Sequence, residues 1–293
     1  MENKFHIASW WGKDDDAEIR CFLCPRNCLI ADGKTGFCGL RKNIGGVLFS
    51  LAYGRPAAIN VDPIEKKPLN EFMPGTWAFS IGTYGCNLEC SFCQNHHLSR
   101  GKYTSIVKDE YFAPTTIVEL AEHHCCKSIA FTYNEPTIWG EYMVDIAKIA
   151  KSEKISTVLV SNGYITRDAA EDIFPLIDAA NIDMKGFSED FYSGMCGGSL
   201  APVLDTIKFY HSLGKHLELT NLVIPGQNDS TRMIDDYLDW VAIELGKNVP
   251  LHFSAYHPDY KYDKSPRTPA STLREIREKA LKKGFRNIYL GNI

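Results

Sequence analysis

The sequence lacks the features of a membrane, secreted or nucleic-acid-binding protein. No apolar segment approaches the roughly 18 residues that cross a bilayer, and residues 1–6 contain no hydrophobic core of a signal peptide. No polybasic run is present, and the formal net charge is −4, with charges of both signs spread along the chain. The sequence therefore predicts a cytoplasmic protein with no membrane or nucleic-acid partner.

Signals for nucleotide binding and for internal repeats are also missing. No G-x-G-x-x-G segment follows the first strand of the regular part of the chain, there is no phosphate-binding loop, and no solenoid-type repeat is present. The 293 residues are 44% hydrophobic and 23% charged, which is ordinary for a globular protein. The length suits one large α/β domain or two of medium size. No paired acid and base identifies a substrate.

Cysteine, in contrast, is abundant. The chain has ten, which in a reducing cytoplasm indicates metal ligands or core thiols rather than disulfides. Cys86, Cys90 and Cys93 have the spacing C-x3-C-x2-C and follow a predicted strand, residues 77–82. Three thiolates on one loop can each bind one iron of a [4Fe–4S] cluster and leave the fourth iron without a protein ligand. An open coordination position is typical of a catalytic metal site.

Two other interpretations of this loop stay open. His96 or His97 could complete a three-cysteine zinc site. Alternatively, the three thiols could be buried in the core without any metal. The spacing favours the cluster, and because a cluster with an open iron is oxygen-sensitive, we expect an anaerobic setting.

A second group of cysteines lies near the N-terminus and satisfies the ligand count of a closed tetrahedral metal site. Its members are Cys21, Cys24, Cys28 and Cys38. The Cys-Pro pair favours an auxiliary Fe–S cluster and the C-x2-C pair favours Zn²⁺, so the spacing leaves both open, as well as a site without metal. A bound metal would stabilise a lobe too short for a core of its own. We expect Cys125 and Cys126 to be buried core thiols, and Cys196 to be a bystander.

From Trp77 onward, predicted strands and helices alternate, which indicates a parallel sheet. The predicted strands are 77–82, 128–133, 157–161, 181–184, 216–224, 251–256 and 287–290. The predicted helices are 116–126, 142–151, 167–174, 202–213, 230–245 and 271–283. Seven strands favour an incomplete parallel (β/α) barrel, because a full eight-stranded barrel typically needs around 250 residues.

This pattern divides the chain into two predicted domains. Residues 76–293 form the barrel, and residues 1–75 form a four-cysteine metal-binding lobe with linker strands. Within the lobe, residues 47–52 and 57–61 have the pattern of two short strands, and we predict that they form a hairpin turned at residues 54–56.

Polar residues follow the predicted strands, where a barrel carries its chemistry. Asn134 and Glu135 follow the second strand and could accept hydrogen bonds from the ammonium of a bound amino acid. Asn134 and Pro136 also have the pattern of a helix start. Ser161 and Asn162 follow the third strand and suit a ribose, a carboxylate or simply a tight turn.

Ionisable residues lie at the ends of two later strands. Asp183 and Lys185 end the fourth, where strand alternation places them on the same side. A barrel interior tolerates two such charges only if they pair or bind a charged ligand. His257 follows the sixth strand, where it could contact a ligand or be a hydrogen-bonded loop residue.

With these residues in view, the chain resembles the radical S-adenosylmethionine (SAM) superfamily. Within it, the chain resembles the pyruvate formate-lyase activating enzymes and the branch often called AmmeMemoRadiSam. The resemblance covers essentially the whole chain. The motifs that carry it are Cys21-x2-Cys24-Pro25-x2-Cys28, Asp62-Pro63-Ile64-Glu65-Lys66-Lys67-Pro68-Leu69, Gly82-Thr83-Tyr84-Gly85-Cys86-Asn87, Tyr133-Asn134-Glu135-Pro136-Thr137, Ser161-Asn162-Gly163, Asp183-Met184-Lys185-Gly186-Phe187, Val223-Ile224-Pro225-Gly226 and Tyr289-Leu290-Gly291-Asn292.

The resemblance implies particular roles for these residues. The C-x3-C-x2-C cysteines would ligate a [4Fe–4S] cluster whose open iron chelates SAM, and an electron from the cluster would leave a 5′-deoxyadenosyl radical. Phe92 would pack near adenine, and Asn134 and Glu135 would contact the SAM amine. The resemblance also implies that further residues line the SAM pocket, namely Ser161, Asn162, Asp183, Lys185 and His257.

The resemblance leaves the substrate open. The first hypothesis is an activase that abstracts hydrogen from a glycine of a partner glycyl-radical enzyme, with electrons from a flavodoxin or ferredoxin. Val160 stands where activating enzymes often have Asp, and the extra cysteines precede the cluster loop rather than follow it. These departures favour a second hypothesis, a small-molecule or peptide substrate. A third, from a different class, is a non-catalytic zinc-binding interaction protein.

Overall fold

The structure, a computed structural model, describes residues 5–14, 18–100 and 110–293. Its N-terminal part contains two small antiparallel sheets of three strands each. Their strands are β1 (His6–Ile7), β2 (Trp11–Lys13), β3 (Ile19–Cys21), β4 (Cys28–Ile30), β5 (Arg41–Ile44) and β6 (Val47–Ser50). One sheet has the order β1, β6, β5, and the other has the order β2, β3, β4.

The turn of the N-terminal hairpin is formed by Gly45 and Gly46. Both have positive φ angles, of 60° and 78°, and the flanking residues Ile44 and Val47 pair. Two consecutive residues at positive φ make the turn that fits the twist of a two-residue hairpin. The predicted hairpin of residues 47–52 and 57–61 is therefore wrong, because β6 pairs with β5 and β1 instead.

An eight-stranded sheet forms the main part of the protein. Its strands are β7 (Ala58–Pro63), β8 (Trp77–Gly82), β9 (Ser128–Phe131), β10 (Ser156–Ser161), β11 (Ala179–Asp183), β12 (His216–Val223), β13 (Leu251–Ala255) and β14 (Ile288–Gly291). β7 is antiparallel to β8, and the strands from β8 to β14 run parallel in chain order. Within the described residues, no pairing joins β14 to β7. The predicted incomplete parallel barrel is confirmed.

Helices connect the strands and pack against them through one buried face. Their bounds are α1 (His96–Ser99), α2 (Pro114–His123), α3 (Gly140–Ser152), α4 (Arg167–Ile173), α5 (Glu189–Phe191), α6 (Ala201–Ser212), α7 (Thr231–Glu244) and α8 (Ala270–Lys282). In α7 the buried residues Ile234, Tyr237 and Val241 recur at three- and four-residue spacing, as an amphipathic helix requires. Across the described ranges, no helix combines the length and apolarity of a membrane span.

Residues 64–71 cross the end of the barrel at which the strands begin. Asn181, in β11, donates from Nδ2 to the carbonyl oxygen of Pro68 at 2.6 Å. Glu218, in β12, accepts the backbone N–H groups of residues 70 and 71 at 3.1 and 2.8 Å. The segment thus forms a floor under the barrel, and the opposite end is left to the loops that follow the strands.

A buried ion pair docks the N-terminal part on α3. The side chains of Arg41 and Glu141 are 1% and 3% exposed, and Nη1 lies 2.8 Å from Oε1. Oε1 also accepts the N–H of Ser9 at 2.7 Å, and Arg41 Nε donates to Cys21 Sγ at 3.2 Å. Several partners for each charge offset the cost of removing both from water.

Candidate active site

One amide side chain holds the C-x3-C-x2-C loop where it leaves β8. Asn134 Oδ1 accepts the N–H of Thr83 at 3.1 Å, and Nδ2 donates to the carbonyl oxygens of Tyr84 at 3.2 Å and Gly85 at 2.8 Å. Asn134 follows β9, so the neighbouring strand fixes the start of the loop. Sequence reasoning assigned Asn134 to SAM and missed this positioning contact.

The loop meets the N-terminal part of the chain at Gly85. Its φ is +79°, and a Cβ there would lie 2.2 Å from the carbonyl oxygen of Cys38, so only glycine fits. Arg26 Nε donates to the carbonyl oxygen of Asn87 at 2.7 Å, and its guanidinium lies 3.5 Å from the ring centre of Phe37. The segments that carry the two cysteine groups are therefore in direct contact.

Cys86, Cys90 and Cys93 line one cavity of about 360 Å³ inside the barrel. Cys86 Sγ accepts hydrogen bonds from the N–H of Leu88 at 3.4 Å and from Asn162 Nδ2 at 3.6 Å. Such donors orient metal-binding thiolates and tune clusters. The cavity also has a polar wall, which includes Asn134, Glu135, Asp183 and Lys185.

Two of the three thiols lie in surroundings that disfavour the thiolate form. Burial is the main cause that raises the pKa of Cys86, and the carboxylate of Glu135 adds to it. A hydrogen bond with Cys196, together with burial, raises the pKa of Cys90. Coordination to a metal reverses this, because coordinating thiols lose their protons. Three thiols around one cavity, with N–H donors to the first, fit the ligand set of a three-cysteine cluster.

Cys196, which the sequence predicted to be a bystander, lies next to the loop. Its thiol forms a hydrogen bond with Cys90, and its carbonyl oxygen accepts the N–H of Glu89 at 2.9 Å. It ends a π-helical turn, Tyr192–Cys196, a conformation that occurs frequently at functional sites. No spacing signal linked Cys196 to the loop, because the two segments are about a hundred residues apart.

The two remaining cysteines, Cys125 and Cys126, differ in burial. Cys126 is buried, as predicted. Cys125 is exposed, so its prediction as a core thiol is wrong. Cys125 follows the end of α2 with a φ of 55°, in the left-handed region, and so belongs to a surface turn rather than to the helix face.

The carboxylate of Glu135 ties two strand ends together. Oε1 accepts hydrogen bonds from the N–H and Oγ1 of Thr137 and from Ser161 Oγ, and Oε2 accepts the N–H of Asn162 at 2.7 Å. Burial raises the pKa of Glu135, and these donors counteract it. Glu135 also caps the 3₁₀ helix Pro136–Trp139, one residue later than the sequence pattern suggested.

Asp183 and Lys185 form an ion pair at the end of β11. Lys185 Nζ donates to Asp183 Oδ2 at 2.8 Å, and Asn228 Nδ2 donates to the carbonyl oxygen of Lys185 at 2.7 Å. Burial works against the ammonium, but Asp183 and Cys90 outweigh it and raise the pKa of Lys185. The cavity wall therefore presents one fixed cation and one fixed anion side by side.

The remaining predicted residues differ in position. Phe92 lines the cavity, and its ring centre lies 5.8 Å from that of Phe191. Ser161 and His257 are not among the described residues that line it. Ser161 lies behind Glu135, and His257 Nδ1 lies 2.8 Å from Nε2 of the lining residue Gln94.

The four N-terminal cysteines surround a second, much smaller cavity. They are Cys21, Cys24, Cys28 and Cys38. Burial raises the pKa of Cys24, and it raises the pKa of Cys38 to about 11. In the ranges that the structure describes, no group of three or more His, Cys, Asp or Glu side chains is already arranged around a single-ion position. A metal at these cysteines therefore stays a prediction.

The sequence is similar to a known family and to several known proteins. The Radical SAM superfamily profile matches residues 80–238. An uncharacterized protein of Methanocaldococcus jannaschii is 42% identical over 289 residues, which cover 98% of this chain and 85% of that protein. The pyruvate formate-lyase-activating enzyme of Clostridium pasteurianum is 24% identical over 153 residues, which cover 51% of this chain and 63% of that enzyme.

A solved structure supports the fold. The crystal structure of a radical SAM methyltransferase from Sphaerobacter thermophilus has a TM-score of 0.56 at 13% identity, over 75% of this chain and 67% of that chain. At such identity the likeness shows the fold alone. The superfamily match, however, spans more than half of the 293 residues and includes the C-x3-C-x2-C loop. The protein is therefore an enzyme that belongs to the Radical SAM superfamily.

Proposed function

We propose that the protein cleaves SAM reductively at a [4Fe–4S] cluster bound by Cys86, Cys90 and Cys93, and abstracts hydrogen from a substrate in the same cavity. One observation carries the proposal. Of the described residues that line the cavity, these three are the only cysteines, and they share it with the Asp183–Lys185 pair. Three thiolates leave one iron free for SAM, and the ion pair suits a zwitterionic amino-acid group.

The cavity wall offers a partner for each part of SAM. Lys185 and Asp183 offer opposite charges to its carboxylate and to its ammonium and sulfonium. Asn134 and Glu135 lie beside the cluster loop, where they are candidates for the amine. Phe92 presents a buried ring for adenine stacking.

Three further residues support this wall in the proposal. Asn162 lines the cavity and donates to Cys86 Sγ, so it connects the cluster ligand to the pocket. Ser161 acts through Glu135, and His257 acts through Gln94. We expect the last two to orient lining residues rather than to touch SAM.

When bound, the cluster supplies the electron that breaks the sulfonium C–S bond, which gives methionine and a 5′-deoxyadenosyl radical. The chain's own residues hold the sulfonium in a fixed position, so that electron transfer and bond cleavage become effectively unimolecular. The radical then takes a hydrogen atom from a substrate C–H bond and becomes 5′-deoxyadenosine. A flavodoxin or ferredoxin is the proposed electron donor, which suits a reducing cytoplasm.

Two kinds of substrate have support. The similarity to an activating enzyme for pyruvate formate-lyase supports a glycine of a partner glycyl-radical enzyme. A separate observation favours a small molecule: the cavity ends on the floor formed by residues 64–71, inside the barrel. Both substrates require the same SAM cleavage.

Anaerobic reconstitution with iron and sulfide, followed by reduction in the presence of SAM, tests the proposal. We expect at least about four irons per chain, with formation of 5′-deoxyadenosine and methionine. Addition of a glycyl-radical enzyme, followed by electron paramagnetic resonance (EPR), would detect activation of a partner. Iron-replete protein that forms no 5′-deoxyadenosine would contradict the proposal.

We also propose that Cys21, Cys24, Cys28 and Cys38 bind a second metal, either Zn²⁺ or an auxiliary Fe–S cluster. Four thiols around one small cavity, with burial raising the pKa of Cys24, support a site that a cation completes. Metal analysis distinguishes the two, because zinc adds one metal ion per chain and a second cluster adds about four irons.

A further inference from the structure

The cavity of the three cysteines extends to the floor of the barrel. Lys66, Lys67 and Pro68 line it there, and Pro68 is fixed from inside the sheet by Asn181 at 2.6 Å. These residues belong to the motif of residues 62–69, to which the proposed SAM chemistry assigns no role.

Lys67 is the buried cation of this floor. Its side chain is 3% exposed, Nζ donates to Asp62 Oδ2 at 2.7 Å, and Nζ lies 4.7 Å from the ring centre of Tyr133. Among the described residues, Asp62 is its hydrogen-bond acceptor. An ammonium has three N–H donors, so two remain for a ligand in the cavity.

The floor carries an excess of positive charge. Lys66 Nζ also lies 3.2 Å from Asp62 Oδ1, so two ammonium groups share one carboxylate. Although burial favours the neutral carboxyl, hydrogen bonds from Lys67 and Tyr133 lower the pKa of Asp62 to about 2. The carboxylate thus stays charged, and one positive charge is left over. Because one carboxylate offsets only one of the two ammonium groups, an anionic group is the ligand that this floor favours.

A second wall residue also needs a polar partner. Thr220 lines the same cavity and is 7% exposed, and its Oγ1 is buried without a hydrogen-bond partner in the described part of the chain. Buried hydroxyl groups are normally hydrogen-bonded. This hydroxyl, in the wall of a cavity that also holds a buried cation, points to a ligand with a further polar group.

We infer that Lys67 binds the carboxylate of a small substrate held inside the barrel, with Thr220 as a second polar contact. The inference rests on the small-molecule form of the proposed function. A carboxylate matches one ammonium with two spare donors, whereas a phosphate dianion brings more charge than the floor balances.

Isothermal titration calorimetry of the reconstituted, unreduced holoenzyme with SAM present tests the inference. The probes are lactate, propionate and pyruvate, their neutral amides, and inorganic phosphate. We expect at least one carboxylate to bind roughly tenfold or more tightly than its amide, because a charge-assisted hydrogen bond is stronger than a neutral one.

Matched variants assign this preference to the floor. Lys67→Met should abolish it and Lys67→Arg should keep part of it, since arginine preserves the charge. Lys66→Met removes the second ammonium group beside Asp62 and should also weaken the preference, but less than Lys67→Met does, because the Lys66 side chain is 70% exposed. Thr220→Val should weaken carboxylate binding roughly threefold to tenfold, as expected for one neutral hydrogen bond.

The outcomes separate this inference from the proposed function. It is overturned if no carboxylate exceeds its amide, if Lys67→Met keeps the preference, if phosphate binds best, or if Lys67→Met weakens SAM binding itself. In each of these cases, 5′-deoxyadenosine formation by the wild-type enzyme would still support the proposed SAM chemistry. Failure of the wild-type enzyme to cleave SAM would instead contradict the proposed function, whatever the carboxylates do.

Discussion

Arg26 connects the two cysteine groups of the protein through Asn87. The guanidinium Nε donates to the carbonyl oxygen of Asn87, the residue after Cys86, over 2.7 Å. The backbone N–H of Arg26 forms a hydrogen bond to Cys24 of the N-terminal group. One residue therefore contacts the four-cysteine group with its backbone and the cluster loop with its side chain.

Replacement of Arg26 by alanine should loosen the cluster loop. The variant loses charged hydrogen bonds to two carbonyl oxygens, those of Asn87 and Gly197. We expect a loss of about 1–3 kcal/mol in the free energy of unfolding. We also expect faster loss of iron from the reduced, reconstituted enzyme. Denaturant unfolding and the decay of the cluster EPR signal measure the two effects.

Arg20→Ala is the matched control for this prediction. Arg20 lies in the same part of the chain and pairs with Asp14, but its side chain is 40% exposed. Because surface ion pairs contribute about 0–1 kcal/mol, the control should keep both stability and iron. Equal iron retention in the Arg26 and Arg20 variants would show that Arg26 does not support the loop.

The buried pair of Arg41 and Glu141 gives a second prediction. Glu141→Ala leaves a guanidinium that is 1% exposed without its carboxylate, so we expect a loss of about 3–5 kcal/mol in the free energy of unfolding. The double variant Arg41→Met, Glu141→Leu removes both charges and should be more stable than the single variant. Thermal and denaturant unfolding measure the difference. A double variant less stable than Glu141→Ala would contradict this account.

Much of the fold was predictable because the signals are local. Alternation of apolar strands and amphipathic helices predicted each of the strands from β8 to β14, and the spacing of Cys86, Cys90 and Cys93 predicted a shared site. The charges of Asp183 and Lys185 predicted that the two residues pair or bind a charged ligand, and they do pair. In each case the information lies within a few residues of the feature.

The features that sequence reasoning missed depend on distant partners. Ala58–Pro63 has an ordinary strand pattern, and its partner β8 follows only after the floor segment. The thiol of Cys196 meets Cys90 through tertiary packing that no spacing encodes. The Gly45-Gly46 pair is the exception, since it was a local turn signal and could have been recognised.

Glu218 predicts an acid-sensitive step in stability. Although burial opposes its ionisation, hydrogen bonds from His216, His252 and two backbone N–H groups lower its pKa from 4.5 to about 2. A depressed folded-state pKa stabilises the fold above the unfolded value, so this contribution is complete above about pH 4.5 and is lost as the pH falls toward 2. It amounts to about 3 kcal/mol at neutral pH.

Comparison with Glu218→Gln isolates this group. The free energy of unfolding should differ most between wild type and variant at neutral pH, and the difference should shrink as the pH falls below 4.5, the ordinary value for this carboxyl group. Denaturant unfolding at a series of pH values measures it. The folded-state carboxylate itself takes up a proton near pH 2. If the difference in the free energy of unfolding stayed constant down to that pH, Glu218 would stabilise the fold through packing rather than through its charge.

The two cysteine groups should respond differently to the loss of one thiol. Cys86 lines the large cavity. The side chain of Asn134 binds the backbone of the Cys86 loop at Gly85, and this contact does not involve the thiol. Cys86→Ala should therefore leave the fold intact. Without one of three ligands, the cluster should not form in its active state, and 5′-deoxyadenosine formation should be abolished. Circular dichroism and product analysis separate the two effects, and a Cys86→Ala variant that still cleaves SAM would contradict the assignment.

Cys24→Ala, in contrast, should lower stability first. Cys24 is buried in a small N-terminal part, where a bound metal would contribute directly to folding. We expect Tm to fall by roughly 5 °C or more, which corresponds to about 3 kcal/mol for a chain of this size. SAM cleavage, measured below the new Tm, should persist. If Cys24→Ala left Tm unchanged but stopped turnover, the four cysteines would carry a redox centre that feeds the cluster loop, rather than a structural metal.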